Sequence, residues 1–197
     1  AEEADKLGKL IGLRLQKAAV EHNKNLVVIS RSDSTLRGHY PNEVNALAAG
    51  LGWKNAKHLL APAFFEGGRY TFNDIHYVKE GKEFIPAGDT PFAKDNTFGF
   101  HSSDLKEWIA EKTNGTIKAA AVKSLDLDLL RNHPTEEIRD ILHGGNSHYI
   151  ANATTYNDLG ALALASLRSN AQIIFRTAAS FVNAISGIES GPLLEKD

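Results

Sequence analysis

Short apolar runs rich in valine, isoleucine and leucine alternate along this chain with longer stretches whose apolar residues recur at helical spacing. That alternation restricts the fold more than any other feature. The runs predict strands over 25–30, 57–61, 117–123, 147–152 and 171–175. The periodic stretches predict helices over 3–22, 41–51, 103–112, 125–131, 134–142, 155–168 and 177–187. Strands separated by a helix pair in parallel, because the helix carries the chain back along the sheet before the next strand begins. The expectation is an α/β fold, a mainly parallel sheet flanked by helices on both faces.

Local chemistry supports several of these boundaries. Pro134 suits a first helical position, where its missing N–H is no loss, and Glu136 and Glu137 place negative charge in the first turn. Thr155 and Asp158 stand three apart, as in a capping box. Ser103-Asp104-Leu105-Lys106 matches Ser-x-x-Lys, but it opens an amphipathic helix with Leu105, Trp108 and Ile109, so the serine reads as a helix cap. The region 62–101 breaks the alternation. There Tyr70, Phe72, Ile75, Tyr77 and Phe84 are interrupted by Asn73-Asp74 and Gly81-Lys82, which predicts a hairpin-rich insertion that projects from the sheet as a lid or interface. The whole of 1–197 reads as one domain around that insertion.

Composition narrows the class of partner. With 22 basic and 24 acidic side chains the formal charge is -2, which leaves no electrostatic footprint for nucleic acid or for an anionic membrane surface. The expected partner is a small molecule or another protein, including a second copy in a homodimer. The absence of cysteine removes disulfide and thiolate chemistry and fits a reducing cytoplasm. No apolar run approaches the ~20 residues that span a bilayer. The chain also lacks methionine and opens directly inside a helical pattern (Leu7, Leu10, Ile11, Leu15, Ala18, Ala19), so it reads as a segment of a longer protein that lacks a first strand.

Chemistry concentrates where the strands end. Ser30-Arg31-Ser32-Asp33-Ser34-Thr35-Leu36-Arg37-Gly38-His39 follows the first strand and combines guanidinium groups, a carboxylate, hydroxyls and an imidazole. Arginine forks match carboxylates bidentately, and hydroxyls and Asp33 can hydrogen-bond alcohols, so the loop suits a small polyhydroxylated anion. Ala61-Pro62-Ala63-Phe64-Phe65-Glu66-Gly67-Gly68-Arg69 follows the second strand, where Gly67 and Gly68 allow a close backbone approach and Arg69 adds a cation. Arg176 and Thr177 stand between the last strand and the last helix, where a helix amino terminus favours an anion. In a parallel sheet these ends share one edge, the usual location of a ligand crevice.

The segments Ser32 to His39, Pro62 to Thr71, Phe92-Ala93-Lys94-Asp95 with Phe98-Gly99-Phe100, and Arg176 to Val182 resemble, in order, the amino-terminal domain of the four-carbon acid sugar kinase family. The resemblance covers nearly the whole chain. It implies an ATP-dependent kinase that phosphorylates the terminal hydroxyl of threonate, erythronate or a 3-oxo relative. In such an enzyme the amino-terminal domain holds the sugar acid, and a carboxyl-terminal domain holds ATP and Mg²⁺. Carried over residue by residue, the resemblance implies that Arg37 and Arg69 clamp the carboxylate. It implies further that Asp33, Ser34 and Thr35 read hydroxyls, that Gly67 and Gly68 line the ligand, and that Arg176 with Thr177 faces substrate or phosphate.

The departures are as informative. The family's opening Asp-Asp-x-Thr-Gly motif, a source of a catalytic base, has no match, and Phe65 stands where the second motif usually has proline. The glycine-rich nucleotide-binding half is also missing. The chain contains no Gly-x-x-x-x-Gly-Lys-Ser/Thr loop and no Gly-x-Gly-x-x-Gly, so neither ATP nor Mg²⁺ is expected on it alone. A metal site is not expected either, since the eight histidines include no His-Glu-x-x-His and His133, His143 and His148 cluster only in sequence. Ser34 lacks the Gly-x-Ser-x-Gly elbow of a hydrolase. Asp95 and Asp158 read as cap or turn residues within reach of the crevice. A non-catalytic sugar-acid-binding or protein-interaction domain is the alternative from another functional class.

Overall fold

The computed structural model describes residues 2–188; the ends of the domain expected over 1–197 lie outside that range. The chain opens with helix α1 (Glu2–Glu21), then strand β1 (Val28–Arg31), helix α2 (Asn42–Leu51) and strand β2 (Lys57–Ala61). Three short strands follow, β3 (Arg69–Phe72), β4 (Ile75–Glu80) and β5 (Glu83–Pro86), and two 3-10 turns over Ala87–Asp89 and Pro91–Lys94. Helix α3 (Leu105–Lys112), strand β6 (Lys123–Leu125) and helices α4 (Leu127–Asn132) and α5 (Thr135–His143) come next. Strand β7 (His148–Ala151), helix α6 (Tyr156–Arg168), strand β8 (Ile173–Thr177) and helix α7 (Ala179–Ser186) complete it.

Five strands form one parallel sheet in the order β1-β8-β2-β7-β6, as the helix-strand alternation requires. Successive strand residues face opposite sides, and the core divides accordingly. Val28, Leu60, Ile150 and Ile174 pack with Leu47, Leu51, Trp108 and Ile109 of α2 and α3. On the other side Leu59, Tyr149, Ile173 and Phe175 pack with Leu142, Leu162 and Phe181 of α5, α6 and α7. The fully parallel sheet is buried on both faces by helices.

The small sheet β3-β4-β5 is antiparallel and lies within the predicted hairpin region. Paired backbone bonds between Thr71 and Ala153 fasten it to the chain leaving β7. At its first turn Asp74 receives Asn152 Nδ2 at 2.7 Å and Lys106 Nζ at 2.7 Å, and accepts a hydrogen bond from Ser124. These contacts seat the small sheet over the carboxyl ends of β6 and β7.

Several sequence expectations shift. The strand expected over 117–123 is replaced by a 3-10 turn at Ala119–Ala121 and a strand confined to Lys123–Leu125. Its apolar residues Ile117 and Val122 pack onto the Trp108 side of the core without joining the ladder. The cap of α3 is Asp104, whose carboxylate accepts the N–H groups of Lys106 and Glu107, while Ser103 Oγ accepts Gly88 N–H at 2.8 Å. In α1 the buried positions are Gly12 and Ala19, and Leu7, Leu10 and Ile11 remain exposed. Helix α1 rides on α2 through glycine instead. A Cβ on Gly12 would come within 2.6 Å of the Leu47 carbonyl, and one on Gly50 within 2.2 Å of the Lys9 carbonyl.

The capping box at Thr155 and Asp158 forms as the spacing implies. Pro134 occupies the cap position of α5 rather than its first turn.

Candidate functional site

The loop leaving β1 turns back toward the sheet along a crevice of about 390 Å³ bordered by Ser32, Asp33, Arg37, Gly38, Glu43, Asp95 and Phe98. It opens at the carboxyl edge of the parallel strands. A larger hollow of about 660 Å³ lies at the opposite end of the strands, between α1 and α6, and only Lys24 brings a charge to it. Ligand sites need convergent polar groups as well as space, which makes the smaller crevice the candidate.

Arg37 is the centre of this crevice. Its Nε donates to Asp33 Oδ2 at 2.9 Å and to Thr35 Oγ1 at 3.1 Å, and Thr35 donates to the same Asp33 oxygen. Across the opening, Arg37 Nη1 stands 3.6 Å from Asp95 Oδ2. Its Nη2 makes no hydrogen bond among the described residues. Partial burial works against ionisation of Asp33, but the hydrogen bonds from Arg37 and Thr35 outweigh it and hold the carboxyl below its ordinary value. The result is an oriented guanidinium with one free edge, flanked by carboxylate oxygens that can accept hydroxyls.

Asp95 is indeed a turn residue and also a wall of the crevice. Its Oδ1 accepts the N–H groups of Phe98 at 2.8 Å and Thr97 at 2.9 Å, and these bonds keep its carboxyl ionised below the usual range. The turn presents Phe98, whose ring meets His39 edge-on at 4.9 Å. Phe92, one turn earlier, carries two cations: the Arg37 guanidinium lies 5.3 Å and the Arg69 guanidinium 5.5 Å from its ring centre. A π face attracts cations, so this ring gathers the two arginines to one place. Ser34 sits in the same loop with its carbonyl turned to His76.

Gly67 and Gly68 serve the turn that delivers Arg69. Phe64 and Arg69 pair backbone to backbone, Gly68 has φ 74°, and a Cβ on Gly67 would lie 2.4 Å from the Phe64 ring. The Gly67 carbonyl accepts Arg69 Nη1.

Arg176 and Thr177 are not on the crevice surface. β8 runs two residues further than expected, pairing Arg176 with Ser30 and Leu60, and Thr177 with Arg31 and Ala61, so both are fully buried within the ladder. Arg176 Nε donates to Glu43 Oε1 at 2.6 Å and its Nη2 to the Arg37 carbonyl at 3.2 Å. The rings of Tyr40 and Trp108 cover it at 5.4 and 5.2 Å. Arg176 therefore props the loop from beneath. Asp158 holds the amino terminus of α6 and the Arg131 guanidinium, with Nε at 2.7 Å, and is absent from the crevice. Among the described residues no group of three or more His, Cys, Asp or Glu side chains is arranged to hold a metal ion.

Glu43 and His76 were not among the residues singled out by sequence, and Phe92 entered only within the Phe92-Ala93-Lys94-Asp95 segment of the resemblance, with no role of its own. Glu43 had a signal, an acidic residue in the first turn of a helix that follows a polar loop. His76 had none that separates it from an ordinary core residue.

A parallel α/β domain with an arginine, carboxylate and aromatic crevice at the carboxyl edge of its sheet is a small-ligand-binding domain by class. The chain belongs to the sugar-binding N-terminal domain family, whose profile matches residues 1–185. Its fold is shared with a domain of unknown function from Bordetella bronchiseptica, crystallised with bound citrate as a domain-swapped dimer, at TM-score 0.73 and 17% identity over 94% of this chain and 41% of that one. A second crystal form of the Bordetella protein gives TM-score 0.72 and 18% identity over 94% and 40%. A Haemophilus influenzae protein of the same domain family gives TM-score 0.66 and 15% identity over 89% and 40%. The chain thus spans about two fifths of the length of the solved relatives it matches. No curated protein matches it. No helix among the described residues is long and apolar enough to cross a membrane.

Proposed function

We propose that this sugar-binding domain holds a four-carbon sugar acid of the threonate, erythronate or 3-oxo-tetronate type. In this reading it is the acceptor-binding part of a kinase that phosphorylates the terminal hydroxyl. The observation that carries the reading is the free edge of Arg37, fixed by Asp33 and Thr35 and facing a crevice of about 390 Å³. A carboxylate meets the guanidinium edge, the remaining oxygens of Asp33 and Asp95 accept hydroxyls, and the ring of Phe98 supplies an apolar wall. The Bordetella neighbour was crystallised with bound citrate, a hydroxylated carboxylate, and this supports the choice of ligand class.

The residues of this chain do not fit a nucleotide. The crevice is bordered by three carboxylates, Asp33, Glu43 and Asp95, which repel a triphosphate, and the chain lacks a glycine-rich phosphate loop. ATP and Mg²⁺ are assigned to a carboxyl-terminal domain, and the part played here is binding and orienting the acceptor. A homodimer is proposed on the same footing, from the dimeric Bordetella neighbour.

Calorimetric titration with D- and L-threonate and erythronate tests the reading. Replacing Arg37 by alanine removes a charge-assisted contact of about 1.5–3 kcal/mol, or about tenfold to more than a hundredfold in affinity. Unchanged affinity in a variant with a lowered melting temperature would make Arg37 a structural residue and sink the carboxylate assignment. A non-catalytic binding domain is the outcome if the chain joined to its carboxyl-terminal partner binds the acid and transfers no phosphate.

A further inference from the structure

His76 lies on β4, outside the loop that forms the crevice, and is fully buried with both ring nitrogens engaged. Nε2 is 2.8 Å from the Ser34 carbonyl oxygen and Nδ1 is 2.9 Å from Thr71 Oγ1. A carbonyl only accepts, so Nε2 carries the proton and Nδ1 accepts the Thr71 hydroxyl. Burial keeps the ring neutral, with its pKa lowered to about 4, although the Ser34 carbonyl draws the other way.

Each end of this bridge is held independently. On one side Thr71 exchanges backbone bonds with Ala153 at 3.1 and 2.8 Å, and His76 N–H donates to the Ser103 carbonyl at 2.9 Å. On the other side Ser34 stands between Asp33 and Thr35, the two side chains that aim Arg37 Nε. The next residue, Leu36, is fully buried with φ 68°. A leucine held in left-handed backbone is strained and persists only where its surroundings determine it. The buried Leu36 side chain, the His76 bond to Ser34 and the Arg176 bond to the Arg37 carbonyl restrain that turn.

We propose that His76 is the positioning residue of the crevice, fixing the Ser34 carbonyl so that the Asp33, Thr35 and Arg37 side chains share one geometry. The inference rests on the reading that Arg37 meets the ligand, but its structural half does not need a ligand to be tested. In H76L both hydrogen bonds are lost. In H76Q an amide can donate to Ser34 and accept from Thr71, restoring the polarity of the bridge.

Amide hydrogen exchange over residues 33–38, read against α5 as an internal reference, should quicken about tenfold or more in H76L and return toward wild type in H76Q. Threonate affinity should fall by about tenfold in H76L and recover in H76Q by the same logic. If H76L does not fold, T71V, which removes only the acceptor-side partner, should shift the loop in the same direction by less. Loop exchange unchanged in H76L, or equal in H76L and H76Q, overturns the proposal. If the wild-type domain binds no threonate or erythronate while loop exchange responds as stated, the sugar-acid reading falls and the positioning role stands. If the wild type binds and R37A weakens it while H76L changes neither loop nor affinity, the reading stands and His76 is a core residue.

Discussion

Glu43 in the first turn of α2 accepts the Nε of Arg176 at 2.6 Å, and this pair joins the helix after the crevice loop to the strand beneath it. The Arg176 side chain is 1% exposed and that of Glu43 is 22% exposed, so the cation has no water to fall back on when its partner is removed. Breaking a buried pair from one side leaves an uncompensated charge, which typically costs about 3–5 kcal/mol. Glu43→Ala should therefore lower the urea unfolding free energy by about 3 kcal/mol, whereas the double variant Glu43→Leu with Arg176→Met should recover much of it. A single variant with wild-type stability would show that Tyr40 and Trp108 alone suffice to hold the guanidinium.

Gly38 is the position in the loop that tolerates no side chain. Its φ is 133°, and an added Cβ would stand 3.0 Å from Arg176 Nη2. Arg176 cannot swing aside, because Glu43 and two aromatic rings fix it. Gly38→Ala should cost about 1–3 kcal/mol of backbone strain and displace Arg37 next to it. Thermal unfolding and threonate titration of this variant check both effects, and an alanine that preserves melting temperature and affinity would mean the loop relaxes freely.

Acid should weaken the fold in two separate windows. Burial lowers His58 to about 4, with His148 5.0 Å away adding to the effect, and burial lowers His76 to about 4 as well. The unfolded histidines take up protons below about 6.5 while the folded ones do not, so stability is complete above that pH and falls as pH drops from 6.5 toward 4. Each buried imidazole contributes about 3 kcal/mol to that fall.

Asp158 acts lower down. Burial opposes its charge, but Arg131 and the N–H groups of Thr154 and Thr155 outweigh it and hold the carboxyl at about 2. Its contribution is present above the unfolded value of 3.8 and is lost as pH falls through about 2. Urea unfolding at pH 7.5, 5.5 and 4.5 isolates the histidine window, and His58→Gln should flatten part of it. Stability that stays level across that window would contradict the buried neutral imidazoles.

What could be read in advance follows from how local each signal is. The order of strands and helices was legible because short apolar runs and a 3.6-residue period are written in neighbouring residues, and the Thr155 box because its partners are three apart. The Arg37 loop was legible because a polar run after an apolar strand in an α/β sheet falls at the ligand edge. The burial of Arg176 was not. It depends on Tyr40 and Trp108, from different elements, closing over one strand position. The extra length of β8 also depends on partners, Arg31 and Ala61, that lie in other strands. His76 reaches Ser34 across 42 positions, a separation no local pattern encodes.

Phe92 offers the sharpest test of how Arg37, on the crevice, and Arg69, behind it, cooperate. Its ring lies under Arg37 and Arg69 at 5.3 and 5.5 Å, and Arg69 Nε is buried without a partner, so the π face and the Gly67 carbonyl are what orient that second guanidinium. Phe92→Leu keeps the apolar bulk and removes the quadrupole. If the ring positions cations for a carboxylate, affinity for threonate should drop by about two- to thirtyfold, the equivalent of about 0.5–2 kcal/mol, with little change in melting temperature. Arg69→Lys should weaken binding in the same way, since an ammonium reproduces neither the planar fork nor the stacking. The two changes should also be less than additive when combined, because each removes the same stacked contact. Full additivity in that double-mutant cycle would separate Phe92 from Arg69 and leave the ring as packing for Arg37 alone.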